Sequence, residues 1–152
     1  MNDRNGSRSL YIPALAPIYS GLAPYAPSLI RFVLGIVFVP HGYDKLFTGK
    51  IGNFAKNFAG LGLEPALPIA YFLGTLEFFG GLLLAIGLFT RPIAFMFFIE
   101  MAVATFLVHW PNGWFATARG VELVILLSLS SLAFAVTGGG RLSVDRAIGR
   151  AF

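Results

Sequence analysis

The sequence predicts an all-α integral membrane protein, an antiparallel four-helix bundle with an interfacial N-terminal arm. Hydrophobic residues make up 57% of the 152 residues and charged residues only 12%, about half the charged share of a soluble domain. The mean hydropathy is +0.77. Four apolar runs are about 20 residues long, the length that a helix needs to cross roughly 30 Å of hydrocarbon. These features predict a single domain embedded in the membrane.

Prolines separate the four predicted spans. Pro65 and Pro68 open the second span, and Pro92 follows the break between the second and the third. Pro111 ends the third span, since proline cannot continue a helix. The short connection before Pro92 makes the second and third spans antiparallel neighbours. The spans cover approximately residues 27–46, 66–89, 92–110 and 119–138.

The segment before the first span is broken by prolines and is predicted to lie on the membrane surface. It contains Tyr11, Tyr19 and Tyr25, and tyrosine concentrates at membrane interfaces. The predicted organisation is an interfacial arm over residues 1–28, a four-span domain over 29–145 and a cytoplasmic tail over 146–152.

The charges favour a multi-pass membrane protein with both termini in the cytoplasm. The net charge of +4 is spread over loops and ends, so membrane lipids are expected partners and nucleic acid is not. The absence of cysteine excludes thiol chemistry by this chain. Arginines concentrate on the side of the termini, as the positive-inside rule predicts for a cytoplasmic face. They are Arg4, Arg8, Arg91, Arg141, Arg146 and Arg150, with Arg31 just inside the first span.

The first span ends in the stretch VFVPHGYDKLF, residues 37–47. A histidine, an acidic residue and a basic residue occur together at the point where an apolar helix is expected to end. His41 and Lys45 are four residues apart and share a helical face. Glu122, at the start of the fourth span, is predicted at the same depth. One interpretation is that Pro40 loosens the helix end, so that both side chains turn inward and form a polar site with Glu122. The alternative is that both polar heads reach outward to the lipid headgroups.

Two glutamates lie deep in the predicted spans, Glu77 in the second and Glu100 in the third. A mid-membrane charge costs about 2.5–3.5 kcal/mol on insertion scales, so such residues usually face the bundle interior. Glu77 is expected to be largely neutral at pH 7. The two carboxyl groups either hold helices in register through hydrogen bonds or form a proton site. Glu77 belongs to a stripe that should meet another helix closely, consisting of Ala70, Gly74, Glu77, Gly81 and Ala85.

His109 lies near the outer end of the third span, beside Trp110. It is about half a turn out of phase with Glu100 at 3.6 residues per turn, so the two should not line one cavity in an unbroken helix. An interfacial role for His109 is therefore the simpler interpretation. His41 and His109 could in principle ligate a haem, but nothing else in the sequence supports this, and no metal site is expected.

Taken in order, several pieces of the chain resemble the DoxX family of small four-span bacterial membrane proteins. Each piece alone is weakly diagnostic, but the ordered set is specific and extends from Leu29 to Asp145. The pieces are Arg31, HGYDKLF at 41–47, GLGLEP at 60–65, LEFFGGLLLAIGLFTRP at 76–92, LVHWPNGWF at 107–115, Glu122 and GGGRLSVD at 138–145.

The resemblance implies an inner-membrane subunit that docks a quinone or a redox partner protein. Some family members are associated with thiosulfate:quinone oxidoreductase and with complexes of oxidative-stress defence, and enzymatic activity is expected only within such a complex. Glu100 is not expected from the family, and glycines at 138–140 stand where its patterns often have Gly-Pro-Gly. The resemblance carries over the candidate site residues Arg31, His41, Lys45, Glu77, His109 and Glu122, and the structural positions Gly42, Gly80, Gly81, Arg91 and Asp145.

Two other functions stay open at this point. A proton-linked small-solute carrier would use Glu77 and Glu100 as midplane proton sites, and with four helices it would have to form a homo-oligomer. The other is a purely structural subunit of a larger membrane complex. The sequence contains no flavin, nicotinamide, haem or iron–sulfur motif, so a redox function requires electrons from a partner protein.

We expect both termini to be cytoplasmic, because arginines occupy the terminal side and both tryptophans occur near the opposite loop. A C-terminal fusion to green fluorescent protein should fluoresce, and the matched alkaline phosphatase fusion should be inactive. An active phosphatase fusion would place the C-terminus outside and overturn the orientation.

Overall fold

The structure is a computed structural model that describes residues 10–150 and Phe152. All regular elements in this part of the chain are helical, which confirms the all-α fold class. Arg4 and Arg8, which contribute to the predicted orientation, lie outside the described residues. The helices in chain order are α1 (Ala16–Leu22), α2 (Ala26–Phe47), α3 (Ile51–Gly60), α4 (Ala66–Ile86), α5 (Thr90–Asn112), α6 (Glu122–Thr137) and α7 (Val144–Ala147).

Three of these helices are long and apolar enough to cross a membrane. They are α2, α4 and α5, with 22, 21 and 23 residues, and they begin and end within a few residues of the predicted spans. The fourth predicted span is shorter than expected, because α6 has only 16 residues, about 24 Å at 1.5 Å per residue. The residues before it fold into a loop instead, in which Val121 N donates to Gly113 O (3.0 Å).

Helices α2 and α4 cross in direct backbone contact. A Cβ atom at Gly35 would lie 2.5 Å from Ala85 N, and one at Gly42 would overlap the backbone of Phe78. Only glycine permits this separation, as at other close helix contacts in membranes. The small-residue stripe of α4 is buried against α2, as predicted from Ala70, Gly74, Glu77, Gly81 and Ala85.

The α5–α6 pair completes the bundle and its apolar core. Phe38 of α2 and Phe97 of α5 stack with their ring centroids 3.8 Å apart. Leu84 of α4 and Phe134 of α6 belong to the same buried cluster, so the core joins all four long helices. Many large apolar side chains point outward, and lipid is the solvent that such a surface requires.

Two short helices lie beside the bundle. The segment that contains α1 exposes apolar side chains, including Tyr19 and Leu22, and its interfacial position stays a prediction. Helix α3 packs on the start of α4, where Ala55 joins Ala66 and Ala70 in a small buried cluster. It therefore covers one end of the α2–α4 crossing.

The α2–α4 contact predicts that Gly42→Ala lowers the free energy of unfolding by about 1–3 kcal/mol, the range for overpacking, because the obstructing atoms are backbone. Thermal unfolding in detergent measures the change. Gly52→Ala in α3 is the matched control, since an added Cβ there meets nothing within 4 Å, and it should be neutral or slightly stabilising. Equal melting temperatures for the two variants would contradict the close crossing.

Candidate functional site

A buried ion pair joins the two helices that cross at the glycines. The Lys45 ammonium of α2 donates to Glu77 Oε2 of α4, and the two residues are 8% and 5% exposed. A Cβ atom at Gly74 would lie 3.2 Å from Lys45 Cβ, so this glycine leaves room for the lysine side chain. The close backbone approach thus brings the two charges together in the bundle interior.

Glu77 lies in a π-helical turn, Leu76–Gly80, within α4. Such a turn is wider than an α-helical turn and changes the direction of the side chains on either side of it. Single π turns occur frequently at functional sites. The local backbone of α4 therefore departs from regular α-helix at the residue that carries the buried carboxylate.

Glu100 of α5 forms a triad with Lys45 and Glu77. Its carboxyl group lies within electrostatic range of both side chains. The residue as a whole is half-buried, and its Oε2 atom is buried without a hydrogen-bond partner among the described residues. One ammonium group compensates only one carboxylate, and an uncompensated charge in this environment is strongly disfavoured. The triad is therefore electrically balanced when one carboxyl group carries a proton.

The triad modifies the expectation for Glu77. Its predicted position in the bundle interior is confirmed, and its carboxyl group lies against the Lys45 ammonium, a contact that favours the charged form over the neutral form expected from the sequence. We assign the retained proton to Glu100, which has no cation of its own. Glu77 and Glu100 lie close to each other on α4 and α5, the two spans that the sequence predicts to be antiparallel neighbours.

Phe54 of helix α3 covers the ammonium group of Lys45. The Lys45 Nζ atom lies 5.0 Å from the ring centroid of Phe54, within the range of a cation–π contact. Sequence analysis missed Phe54, since it is one of sixteen phenylalanines. The available signal was its position on an amphipathic segment immediately after the polar end of the first span.

Arg31 is not part of the triad and has a structural role. It is 2% exposed. Within the part of the chain that the structure describes, its guanidinium donates to backbone carbonyl oxygens alone, which belong to the end of α4 and to the loop after α6. Five donors in a planar fork suit such a cluster of acceptors. The acceptors are Leu84 O, Ala85 O (2.6 Å), Gly139 O (2.8 Å) and Leu142 O (2.6 Å).

Asp145 holds the start of α5 beside this arginine. Its carboxylate oxygens accept hydrogen bonds from Phe89 N (2.8 Å) and Thr90 N (2.9 Å), which satisfies free donors at a helix N-terminus. Gly87 precedes this turn with φ of 75°, and a Cβ there would lie 2.7 Å from Arg31 Cζ. Asp145 therefore stabilises the start of α5, in agreement with the structural role expected for it.

The predicted outer site of His41, Lys45 and Glu122 does not form. Lys45 turns to Glu77, and Glu122 Oε1 accepts from Ala116 N (2.7 Å) in the loop before α6. His41 is exposed on the side of α2. The continuous helix through Pro40 also contradicts the proposed loosening, and the burial of Lys45 excludes the alternative that its ammonium reaches the headgroups.

His109, near the end of α5, contacts the same loop and is not part of the triad. It ends a π-helical turn, Thr105–His109, and its Nδ1 donates to Arg119 O (2.7 Å). Asn112 Nδ2 donates to the same oxygen (3.3 Å). As predicted from their helical phase, His109 and Glu100 have separate partners.

Comparison with known proteins gives one family and two relatives. The DoxX family profile matches residues 26–110, a range that contains the triad and Arg31. A protein of Haemophilus influenzae named "Uncharacterized protein" is 37% identical over 125 residues, 80% of this chain and 90% of that protein. A Bacillus subtilis protein named "Putative oxidoreductase CatD" is 32% identical over 117 residues, 77% of this chain and 82% of that protein. No solved structure matches the chain significantly.

The triad predicts that Lys45→Met lowers the free energy of unfolding by about 3–5 kcal/mol, because two buried carboxyl groups lose their counter-charge. Adding Glu77→Gln should restore part of this loss, since one neutral carboxyl group then remains. Thermal unfolding of both variants in detergent measures the coupling.

Lys50→Met provides the matched control. It breaks the exposed pair between Lys50 Nζ and Asp44 Oδ1 (2.6 Å), and loss of an exposed pair should leave the melting temperature almost unchanged. If Lys45→Met and Lys50→Met have the same small effect, the buried pair does not have the role assigned to it.

Proposed function

Because the chain belongs to the DoxX family of small bacterial membrane proteins, we propose that it is an inner-membrane subunit of an oxidoreductase system and binds a quinone beside the triad. The observation that carries this proposal is the buried Glu100 Oε2 atom, which has no described hydrogen-bond partner and lies next to the Lys45–Glu77 pair. The oxidoreductase name of the Bacillus subtilis relative supports the same reaction class.

The residues of the triad suit the headgroup of a quinone. Reduction of a quinone to a quinol takes up two electrons and two protons. The Lys45 ammonium can donate a hydrogen bond to a carbonyl oxygen, and the Glu100 carboxyl group can hold a proton close to it. The chain's own contribution is thus binding and proton supply, while a partner redox protein provides the electrons.

An aromatic patch beside the triad supports an apolar ring as the ligand. Its rings follow one another across α2 and α4, with centroid distances of 5.4, 5.1 and 5.0 Å. Three of its members are about half exposed, so the patch faces the lipid from which a quinone would enter. The patch consists of Tyr43, Phe47, Phe78 and Phe79.

The same triad supports a second candidate function. Glu77 and Glu100 lie near each other on neighbouring helices beside a single lysine, an arrangement that could serve as the coupling site of a proton-linked carrier. Proteoliposomes that contain a pH-sensitive dye distinguish the two functions. Solute-dependent proton entry without quinone, lost in Glu100→Gln, would favour the carrier over the quinone-binding subunit.

The proposal predicts saturable binding of decylubiquinone to the purified protein in mild detergent. Lys45→Met and Glu100→Gln should each weaken binding about tenfold or more, since a hydrogen bond that involves a charged group is worth about 1.5–3 kcal/mol. Equilibrium dialysis measures the dissociation constants, and the fraction of folded protein is determined for each variant.

Glu122→Gln is the control, since glutamine keeps the oxygen that accepts from Ala116 N. This variant should bind decylubiquinone as the wild type does. If all four proteins bind equally, or none binds, the triad is not a quinone site.

A further inference from the structure

A cleft of about 660 Å³ opens at the other end of the bundle, where α4 leads into α5 and α6 ends. Four exposed arginines line it, and none lies within ion-pair distance of a carboxylate of the described residues. The cleft therefore concentrates uncompensated positive charge in a concave surface. The arginines are Arg91, Arg141, Arg146 and Arg150.

The one acidic residue among the described lining, Asp145, does not neutralise this charge. Its two oxygens accept from Phe89 N and Thr90 N, and neither oxygen lies within ion-pair distance of a lining arginine. The four lining arginines consequently remain available for an anion.

Glycine backbone adds to the same wall of the cleft. Gly138 and Gly140 have φ values of 82° and 78°, and a Cβ at Gly138 would lie 3.4 Å from Arg91 Nε. Within residues 10–150, the N–H groups of Gly139, Gly140 and Arg141 donate to no protein acceptor. Guanidinium groups beside free backbone N–H groups form the donor set that phosphate oxygens prefer.

From this donor set we infer that the cleft binds the phosphate group of an anionic phospholipid. The cleft lies at the ends of membrane-spanning helices, the depth at which headgroups are found. Arg141 lies over the ring of Tyr25 (5.4 Å to the centroid), which places one of the four arginines against the arm before α2. Basic pockets between spanning helices bind such headgroups. A soluble phosphate compound shares the chemistry, and the experiment separates the two sources.

The test uses the full-length protein in neutral detergent at constant ionic strength. Dioleoylphosphatidylglycerol should raise the melting temperature and bind about tenfold more tightly than dioleoylphosphatidylcholine, as native mass spectrometry can measure. The double variant Arg91→Gln/Arg146→Gln should lose this preference. Lys50→Gln/Lys56→Gln removes the same charge from exposed lysines toward the opposite end of the bundle and should keep it.

Three results would overturn the inference. The first is equal binding of the two lipids by the wild type, and the second is equal loss of preference in both double variants. The third is an increase in melting temperature with inorganic phosphate as large as that with the anionic lipid, which would assign the cleft to a soluble phosphate compound. The proposed quinone site lies at the other end of the bundle. A negative result in this lipid-binding experiment therefore leaves the quinone proposal intact.

Discussion

The close crossing of α2 and α4 is the constraint on which the rest of the structure depends. Gly35 and Gly42 allow the two backbones to touch, and on the same face of α2 they lie between Arg31 and Lys45. If residues larger than glycine occupied the crossing, the side chains of Arg31 and Lys45 would not reach their partners on α4. The crossing therefore fixes helix packing and the placement of two buried cations at once.

The two cations are satisfied in different ways, and this separates structure from chemistry. Arg31 donates to backbone carbonyls, and a guanidinium keeps its proton at any physiological pH. Lys45 meets a carboxylate with a second carboxyl group nearby, an arrangement in which a proton can change places. Among the described residues, the Lys45 end brings two carboxyl groups close to one ammonium group, a combination suited to proton exchange.

Periodicity and composition were sufficient to predict three of the four spans, the small-residue stripe and the burial of Glu77, because each depends on local pattern. The partner of Lys45 was predicted wrongly, since depth was judged from Cα positions alone. Helical side chains lean toward the helix N-terminus, so a lysine near the C-terminal end of α2 points back into the membrane toward Glu77. The π-helical turn around Glu77 has no sequence signature that could have revealed this geometry. Glu122 was misplaced because its partner, Ala116 N, depends on how the preceding loop folds.

The hydrogen bonds of Arg31 connect residues that are far apart in the chain, since Gly139 follows it by 108 positions. During synthesis, the first span enters the membrane before any of the carbonyl groups that will surround its arginine have been made. An arginine without such partners makes insertion less favourable by about 2.5–3.5 kcal/mol. Two of the acceptors arrive with α4 and the other two only with the loop after α6. The bundle is thus locked by a loop that is made only after all four long helices, and a nascent chain truncated before that loop would lack half of the hydrogen bonds around Arg31.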